Sequence, residues 1–174
     1  SGQGGPTQGA QQLVVYSDYN NGDHQVGNLI ESNVFLEQNV GAGDVGNTFR
    51  FTFDAKMGDL ASPSTASAFI KVIDNTTFTL SGYQAIDMTS IPTTWGTYSL
   101  EITLDSSQVN HFFQIGFSNE AANYVPSGII YDNVSLEELL PPPGALYCFG
   151  DGVAASCPCG NNNDGSNGLA GCAN

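Results

Sequence analysis

The first candidate for chemistry is a single carboxylate, Asp132, within residues 128–136, which read GIIYDNVSL. Alternation predicts a strand here with Ile130, Val134 and Leu136 on one side, and Asp132 shares that apolar side. A buried carboxylate without a partner is costly, and the whole chain has only 3 Lys and Arg residues. A bound Ca²⁺, which prefers oxygen ligands, is therefore one interpretation. The other is a strand-end aspartate that caps a turn and contacts water.

Residue types that serve in catalysis are sparse. The two histidines, His24 in a loop and His111 at a strand start, have no serine or cysteine arranged beside them as a nucleophile. The 17 acidic residues make chance carboxylate pairs inevitable, so such a pair does not by itself indicate glycoside hydrolysis. The sequence predicts a protein that is not an enzyme.

Charge and composition limit the classes of molecule that the chain can bind. The 174 residues carry a formal net charge of −14, and 40% of them are hydrophobic, which is enough for a core. Nucleic acid is excluded because its binding depends on Lys and Arg, and anionic membrane surfaces are disfavoured for the same reason. No apolar run is long enough to predict membrane insertion. The excess of acidic over basic residues favours calcium or a neutral polymer such as a glycan as the binding partner. It is also typical of proteins in a saline environment outside the cell.

Short strand-like segments separated by turn signals cover most of the chain. Phe49, Phe51 and Phe53 alternate with polar residues, and residues 95–105 alternate in the same way. Further strands are expected at 13–16, 33–40, 66–74, 78–80, 84–88, 112–118 and 128–136. The only helical turn is expected near 120–122. About eight or nine strands with this spacing predict an all-β antiparallel β-sandwich of the jelly-roll type.

Composition divides the chain into four parts. Residues 1–12 are an extended Gly/Gln-rich leader, 13–140 the β-sandwich domain, 141–144 a Pro-rich linker and 145–174 a Cys-rich appendage. The appendage has too few apolar residues for a core, so disulfides or packing on the sandwich must hold it. A leader of this kind can add as a strand to a neighbouring subunit. A homopolymer of like subunits, as a filament or surface layer, is therefore the alternative function.

Four cysteines lie in the appendage: Cys148, Cys157, Cys159 and Cys172. One proline separates Cys157 from Cys159, a poor geometry for a direct bridge, so Cys148 and Cys172 should each pair with one of them. Zinc sites usually need CxxC spacing, which CPC does not provide. Disulfides in the appendage favour a secreted protein, located outside the cell or at its surface.

Four segments in order carry a resemblance to a known family: VVYSDYNNGD, FRFTFDAK, TTWGTYSLEITL and IIYDNVSLEE. Residues 13–139 resemble the jelly-roll carbohydrate-binding modules of secreted bacterial proteins, and the tail resembles Cys-rich segments of planctomycete-type secreted proteins. The likeness implies a structural Ca²⁺ near the final strand. Its ligands would be Asp132 with Asp18 or Asp23, completed by backbone carbonyls, and Asp54 is a weaker addition.

Sugar sites in such modules need exposed aromatic faces beside polar groups. The candidates lie in or beside polar loops: Tyr16, Tyr19, Tyr83 and Tyr124. Trp95 is expected to pack in the core or at a sheet edge. Arg50 and Lys71 would either hydrogen-bond a ligand or pair with the surplus carboxylates, and the second is favoured. The resemblance implies a non-catalytic module with a glycan partner.

Overall fold

A computed structural model of the chain describes residues 4–17 and 29–139. These ranges contain short 3-10 turns at Ala42–Asp44 and Ser106–Gln108. The strands are β1 (Leu13–Ser17), β2 (Leu29–Asn39), β3 (Thr48–Leu60), β4 (Thr65–Ile73), β5 (Leu80–Asp87), β6 (Gly96–Thr103), β7 (Phe112–Ala122) and β8 (Ser127–Leu139). In these residues, no helix is long and apolar enough to cross a membrane.

The strands form two four-stranded sheets that pack face to face. Sheet A has the order β1-β8-β3-β6, and sheet B has the order β2-β7-β4-β5. All neighbouring strands are antiparallel. The predicted all-β antiparallel sandwich is confirmed. The linker, the appendage and the four cysteines lie outside the described residues.

Aromatic rings from both sheets fill the space between them. Phe53 and Tyr131 of sheet A are fully buried and pack against Phe117 of sheet B. The Phe117 and Tyr131 rings are stacked with centroids 3.7 Å apart, while Phe53 meets Phe117 edge-on at 5.1 Å. Burying such a ring stabilises the fold by roughly 1.5–3 kcal/mol. Burial also raises the pKa of the Tyr131 phenol far above its ordinary value.

Two expected boundaries were wrong. The separate segments at 78–80 and 84–88 are parts of the single strand β5, which begins at Leu80 after a turn. In that turn Asp74 accepts hydrogen bonds from two backbone N–H groups, and Phe78 has a positive φ of 56°. Residues 120–122 continue β7 rather than forming a helical turn, because pairing with β2 extends to Ala122.

The expected orientation of Asp132 was also wrong. Ile129 and Tyr131 belong to the core, so Asp132 lies on the outer face of sheet A. Further along β8, Leu136 packs against the core although it shares the parity of Asp132.

A β-bulge explains this change of side. Asp54 of β3 is paired with Asp132, and Thr52 is paired with Ser135, so β8 has one extra residue between these pairs. Asn133 adopts a positive φ of 49° there. An extra residue exchanges the two faces of a strand, and alternation in the sequence does not reveal it.

Candidate functional site

The outer face of sheet B carries an apolar strip that crosses all four strands. Phe35 on β2 is opposite Gly116 on β7, which is opposite Phe69 on β4, which is opposite Ala85 on β5. These positions face away from the core because Phe117, one residue beyond Gly116, belongs to it. Phe35 is 51% exposed, whereas Phe69 is only 3% exposed. The strip thus has a buried ring at its floor and an exposed ring at its edge.

A polar row borders one side of this strip. It crosses the sheet through Glu37, Gln114, Lys71 and Tyr83. Gln114 Nε2 donates to Glu37 Oε2 at 2.5 Å. The Lys71 ammonium lies over the Phe69 ring, 4.2 Å from its centroid, a cation–π contact. Tyr83, predicted from the sequence as a sugar-binding candidate, is half exposed at the end of the row.

More polar residues border the other side of the strip. Ser118 Oγ donates to Glu31 Oε1 at 2.9 Å, and Thr65 Oγ1 donates to Glu120 Oε2 at 3.2 Å. Several of these side chains line a surface pocket of about 300 Å³. The nearer polar row consists of Asn33, Ser118, Ser67 and Asp87.

The face is a trough with a negative charge. Its floor includes the buried side chains of Gln114 and Ser118, whose neighbours on the edge strands are exposed. Burial lowers the pKa of the Lys71 ammonium, and the nearby Glu31 carboxylate partly opposes this. Lys71 is the only basic side chain of β2, β4, β5 and β7. The carboxylates on the face are those of Glu31, Glu37, Asp87 and Glu120.

The outer face of sheet A is covered instead by the N-terminal leader. Gln8 Nε2 and Asn133 Nδ2 each donate to Asp54 Oδ2 at 2.7 Å, and Thr97 Oγ1 donates to Asp54 Oδ1 at 2.6 Å. Asn133 Nδ2 also reaches the backbone oxygen of Thr7 at 3.3 Å. Residues 4–12 therefore fold back on their own domain.

These donors set the charge state of Asp54. Burial acts to raise the pKa of the Asp54 carboxyl, but hydrogen bonds from Thr97, Asn133 and Gln8 hold it below its ordinary value. The carboxylate is thus stabilised by three neutral donors. Asp54 serves as an anchor for the leader.

Trp95 lies beside this anchor at the edge of sheet A. The backbone of Gly5 is so close to the indole that an added Cβ would come within 2.9 Å of Cδ1. The Lys56 ammonium lies 5.1 Å from the centre of the Trp95 ring. Sheet-edge packing was one of the two locations expected for Trp95.

Asp132 and Gln8 present oxygen atoms that lack donors. Asp132 Oδ1 accepts the N–H of Asn133 at 2.7 Å, whereas Asp132 Oδ2 is buried without a hydrogen-bond partner. Gln8 Oε1 is likewise buried without a hydrogen-bond partner. Carboxylate and amide oxygens are both ligand types that Ca²⁺ accepts. Across residues 4–17 and 29–139, no group of three or more His, Cys, Asp and Glu forms a metal cluster.

The other predicted residues are spread over the molecule. Arg50 pairs with Glu101 at 2.7 Å and Glu137 at 3.5 Å, the alternative favoured from the sequence. Tyr16 lies on β1 in sheet A, and the exposed Tyr124 lies in the turn after β7 with a φ of 62°. The structure does not place either tyrosine in the trough of sheet B. Besides the four cysteines, three predicted residues lie outside the described ranges: Asp18, Tyr19 and Asp23.

Phe35, Phe69, Gly116 and Gln8 were not predicted as site residues from the sequence. Phe35 stands in the apolar run Val34-Phe35-Leu36, which shows no alternation. A signal did exist at Gly116, because a glycine inside a central strand often marks close backbone approach. An added Cβ there would clash with the Val34 carbonyl and lie 2.7 Å from Phe35 Cβ.

No protein family model matches the chain, and no curated protein sequence matches it either. Similar solved structures include a family 4 carbohydrate-binding module, with 18% identity, a TM-score of 0.41, and coverage of 63% of this chain and 61% of that one. The enzymatically active domain of bacteriophage CBA120 tailspike protein 4 shows 17% identity and a TM-score of 0.46, with coverage of 76% of this chain and 18% of that one.

A family 61 module in complex with β-1,4-galactotriose shows 14% identity and a TM-score of 0.43, with coverage of 76% of this chain and 74% of that one. The chain thus spans 61% and 18% of the lengths of the first two structures. At these identities and TM-scores, the likenesses carry no argument about function.

Proposed function

We propose that this protein is a non-catalytic, extracellular glycan-binding module, and that the trough on sheet B is its binding surface. The observation that carries the proposal is the apolar strip from Phe35 to Ala85 between two polar rows. A sugar ring has apolar C–H faces and a polar rim of hydroxyls. It therefore needs a surface of this kind, with an aromatic ring beside hydrogen-bonding side chains.

The side chains of the trough suit a neutral glycan. Phe35 and Tyr83 offer half-exposed rings for stacking. The Gln114 amide and the carboxylates of Glu31 and Glu37 offer hydrogen bonds to hydroxyls. The excess of carboxylates over the single ammonium of Lys71 repels uronate or sulfate groups. Neutral polysaccharides are therefore the proposed ligand class.

Titration of the full chain with neutral oligosaccharides, followed by calorimetry, tests this proposal. Cello-, xylo-, manno- and galacto-oligosaccharides are the probes, and polygalacturonate is the acidic comparison. Phe35→Ala should weaken binding about tenfold, since an aromatic contact contributes roughly 0.5–1.5 kcal/mol. Phe78→Ala is the matched control, because Phe78 is 74% exposed in the β4–β5 turn and belongs neither to the apolar strip nor to its polar rows.

Two results would overturn the glycan proposal. One is the absence of any binder above background. The other is an equal loss of affinity in the Phe35 and Phe78 variants, which would place the sugar elsewhere. Unchanged unfolding curves for both variants establish that the comparison concerns binding.

Calcium is the second part of the proposal. Asp132 and Gln8 would contribute oxygen ligands through their two unpartnered atoms. Asp18 or Asp23 remains a prediction outside the described residues. When bound, the ion would supply the positive charge that the buried carboxylate oxygen lacks. Because Gln8 also anchors the leader, the same ion would hold residues 4–12 on sheet A.

Melting of the full chain in calcium and in chelator tests this part. Chelation should lower the melting temperature of the wild type by about 5 °C, and that of Asp132→Asn by much less. Asp59→Asn is the control, since Asp59 is an exposed carboxylate on β3. Identical melting in both conditions, together with no heat of calcium binding, would rule out the ion.

Self-assembly of like subunits stays a prediction with weaker support. Self-assembly requires an extended leader that is available to a neighbour, but Gln8 and Thr7 contact Asp54 and Asn133 of their own domain. Light scattering of the full chain in calcium checks it. Large particles that disappear when residues 1–12 are deleted would favour assembly over glycan binding.

A further inference from the structure

A polar pocket opens beside the apolar strip on the outer face of sheet B. We call it the side pocket, and nine residues line it: Thr65, Ala66, Ser67, Ala85, Ile86, Asp87, Thr89, Ser118 and Glu120. Its volume is about 300 Å³, at the lower end of the range for ligand sites in proteins. Ala85 belongs both to the strip and to the side pocket, so the two are continuous.

The side pocket lies off the line of the strip. Ser67 precedes Phe69 by two residues on the same face of β4, and two residues of a strand span roughly 6–7 Å. Asp87 of β5 is directly opposite Ser67. The strip runs across the strands, whereas the pocket is displaced along them. A linear chain that follows the strip therefore does not enter the pocket.

The segment after β5 fixes one wall of the side pocket. The backbone N–H of Thr89 donates to Asp87 Oδ1 at 2.8 Å, and the backbone N–H of Ala66 donates to Thr89 Oγ1 at 3.1 Å. Hydrogen bonds from the hydroxyl and the N–H of Thr89 hold the pKa of the Asp87 carboxyl below its ordinary value, although burial opposes them. Asp87 is thus an ionised acceptor held in place.

The other polar groups of the side pocket are hydroxyls and a second carboxylate. Glu120 accepts a hydrogen bond from Thr65 at 3.2 Å. An ionised carboxylate has about four lone-pair sites, so this bond leaves it acceptor capacity. Among the described residues that line the pocket, none is basic. The pocket therefore suits a neutral group rich in hydroxyls, and its two carboxylates repel an acidic one.

We propose that the side pocket binds a single neutral sugar that branches from a polysaccharide main chain lying on the strip. This inference rests on the proposed function, because the main chain must occupy the trough. Asp87 and Glu120 accept hydrogen bonds from hydroxyls of the branch, and the Ser67 hydroxyl adds a third polar contact. The preferred ligand is thus a branched neutral polysaccharide rather than a linear one.

Calorimetry of the full chain with paired oligosaccharides tests the inference, since the members of each pair share a main chain. The pairs are manno-oligosaccharides with and without a galactose branch, cello-oligosaccharides with and without xylose branches, and xylo-oligosaccharides with and without an arabinose branch. For a main chain that binds, the branched form should bind about tenfold more tightly than the linear form.

Two variants locate the branch. Ser67→Val removes the hydroxyl and fills part of the pocket with a residue that strands favour, so it should reduce the preference to about twofold and leave linear binding unchanged. Ser99→Val is the matched control, at an exposed position of β6 in sheet A. Asp87→Asn keeps the shape and an acceptor for Thr89. It should weaken branched binding about fivefold without changing linear binding, because hydrogen bonds to a charged acceptor are stronger.

Three results would overturn the inference and leave glycan binding by the trough intact. They are equal affinity for the linear and branched members of every pair, equal effects of Ser67→Val and Ser99→Val on the preference, and a preference that survives both Ser67→Val and Asp87→Asn. If no oligosaccharide binds at all, the proposed function fails, and this inference fails with it. Unchanged unfolding curves of the variants establish that the differences concern binding.

Discussion

The outer face of sheet A carries an ion-paired arginine and a carboxylate that accepts three hydrogen bonds, whereas Glu31 and Glu37 on the outer face of sheet B accept from a single neutral side chain each. Arg50 lies between Glu101 and Glu137, and Asp54 accepts three hydrogen bonds under the leader. On sheet B, Glu31 accepts from a serine hydroxyl and Glu37 from a glutamine amide.

This difference separates a structural face from a face that can bind. A carboxylate engaged by several donors of its own chain has little capacity left for a ligand. The carboxylates of sheet B keep spare acceptor capacity beside the exposed ring of Phe35. Strands with similar alternation therefore differ in the acceptor capacity that their outer faces keep, and the leader covers only the face of sheet A.

The largest effect is expected from a methyl group at the floor of the trough. Gly116→Ala places a Cβ against the Val34 carbonyl and against Phe35, so β2 must move. We expect a loss of about 3 kcal/mol in unfolding free energy and loss of glycan binding. Gly43→Ala is the control, since an added Cβ there meets nothing within 4 Å. Equal denaturation midpoints for the two variants would contradict the described packing.

A smaller and more local effect is expected from the anchor on sheet A. Asp54→Asn removes the negative charge that strengthens the hydrogen bonds from Gln8 and Asn133, and it turns an amide NH₂ toward the Thr97 hydroxyl. Docking of the leader should weaken by about 2 kcal/mol, measured by amide exchange of residues 4–12. The exposed Asp59→Asn on the same strand should change nothing. Glycan binding on sheet B should persist in both variants, and its loss in Asp54→Asn would mean that the two faces are coupled.

Acid should release the leader from sheet A by protonating the Asp54 carboxylate. The folded pKa of Asp54 lies below its ordinary value of 3.8, so ionisation stabilises docking. This contribution is complete above that value and is lost as the pH falls through the folded pKa. Fluorescence of Trp95, the only tryptophan, reports the contact with Gly5. The acid transition should disappear in Asp54→Asn, and its persistence there would assign it to another group.

The sandwich itself was predictable because its strongest strands show period-two alternation. Phe49, Phe51 and Phe53 do face the core, as their spacing indicates. The bulge at Asn133 was not predictable, since a positive φ leaves no mark in a hydrophobic pattern. Because the pattern does not reveal the bulge, strict alternation predicted the wrong side of the strand for Asp132.

The candidate site was less predictable than the fold because it depends on pairing between distant strands. Tyr83 was identified from its polar surroundings alone. Phe35, Gly116 and Phe69 become neighbours only through the register of β2, β7 and β4. Gln8 and Asp54 are 46 residues apart, and no local pattern connects them.

The smallest change in stability comes from removing one basic side chain on each face. Arg50→Met breaks an exposed ion pair and should leave both the unfolding midpoint and glycan binding unchanged. Lys71→Met keeps most of the apolar stem over Phe69 but removes the only ammonium in the trough. It should therefore leave the midpoint nearly unchanged while it weakens glycan binding about fivefold, because the hydroxyls of the sugar lose a charged donor. Calorimetry of both variants with the same oligosaccharide measures this. If Arg50→Met has the larger effect on affinity, the glycan binds sheet A, and the leader rather than the trough of sheet B controls access to it.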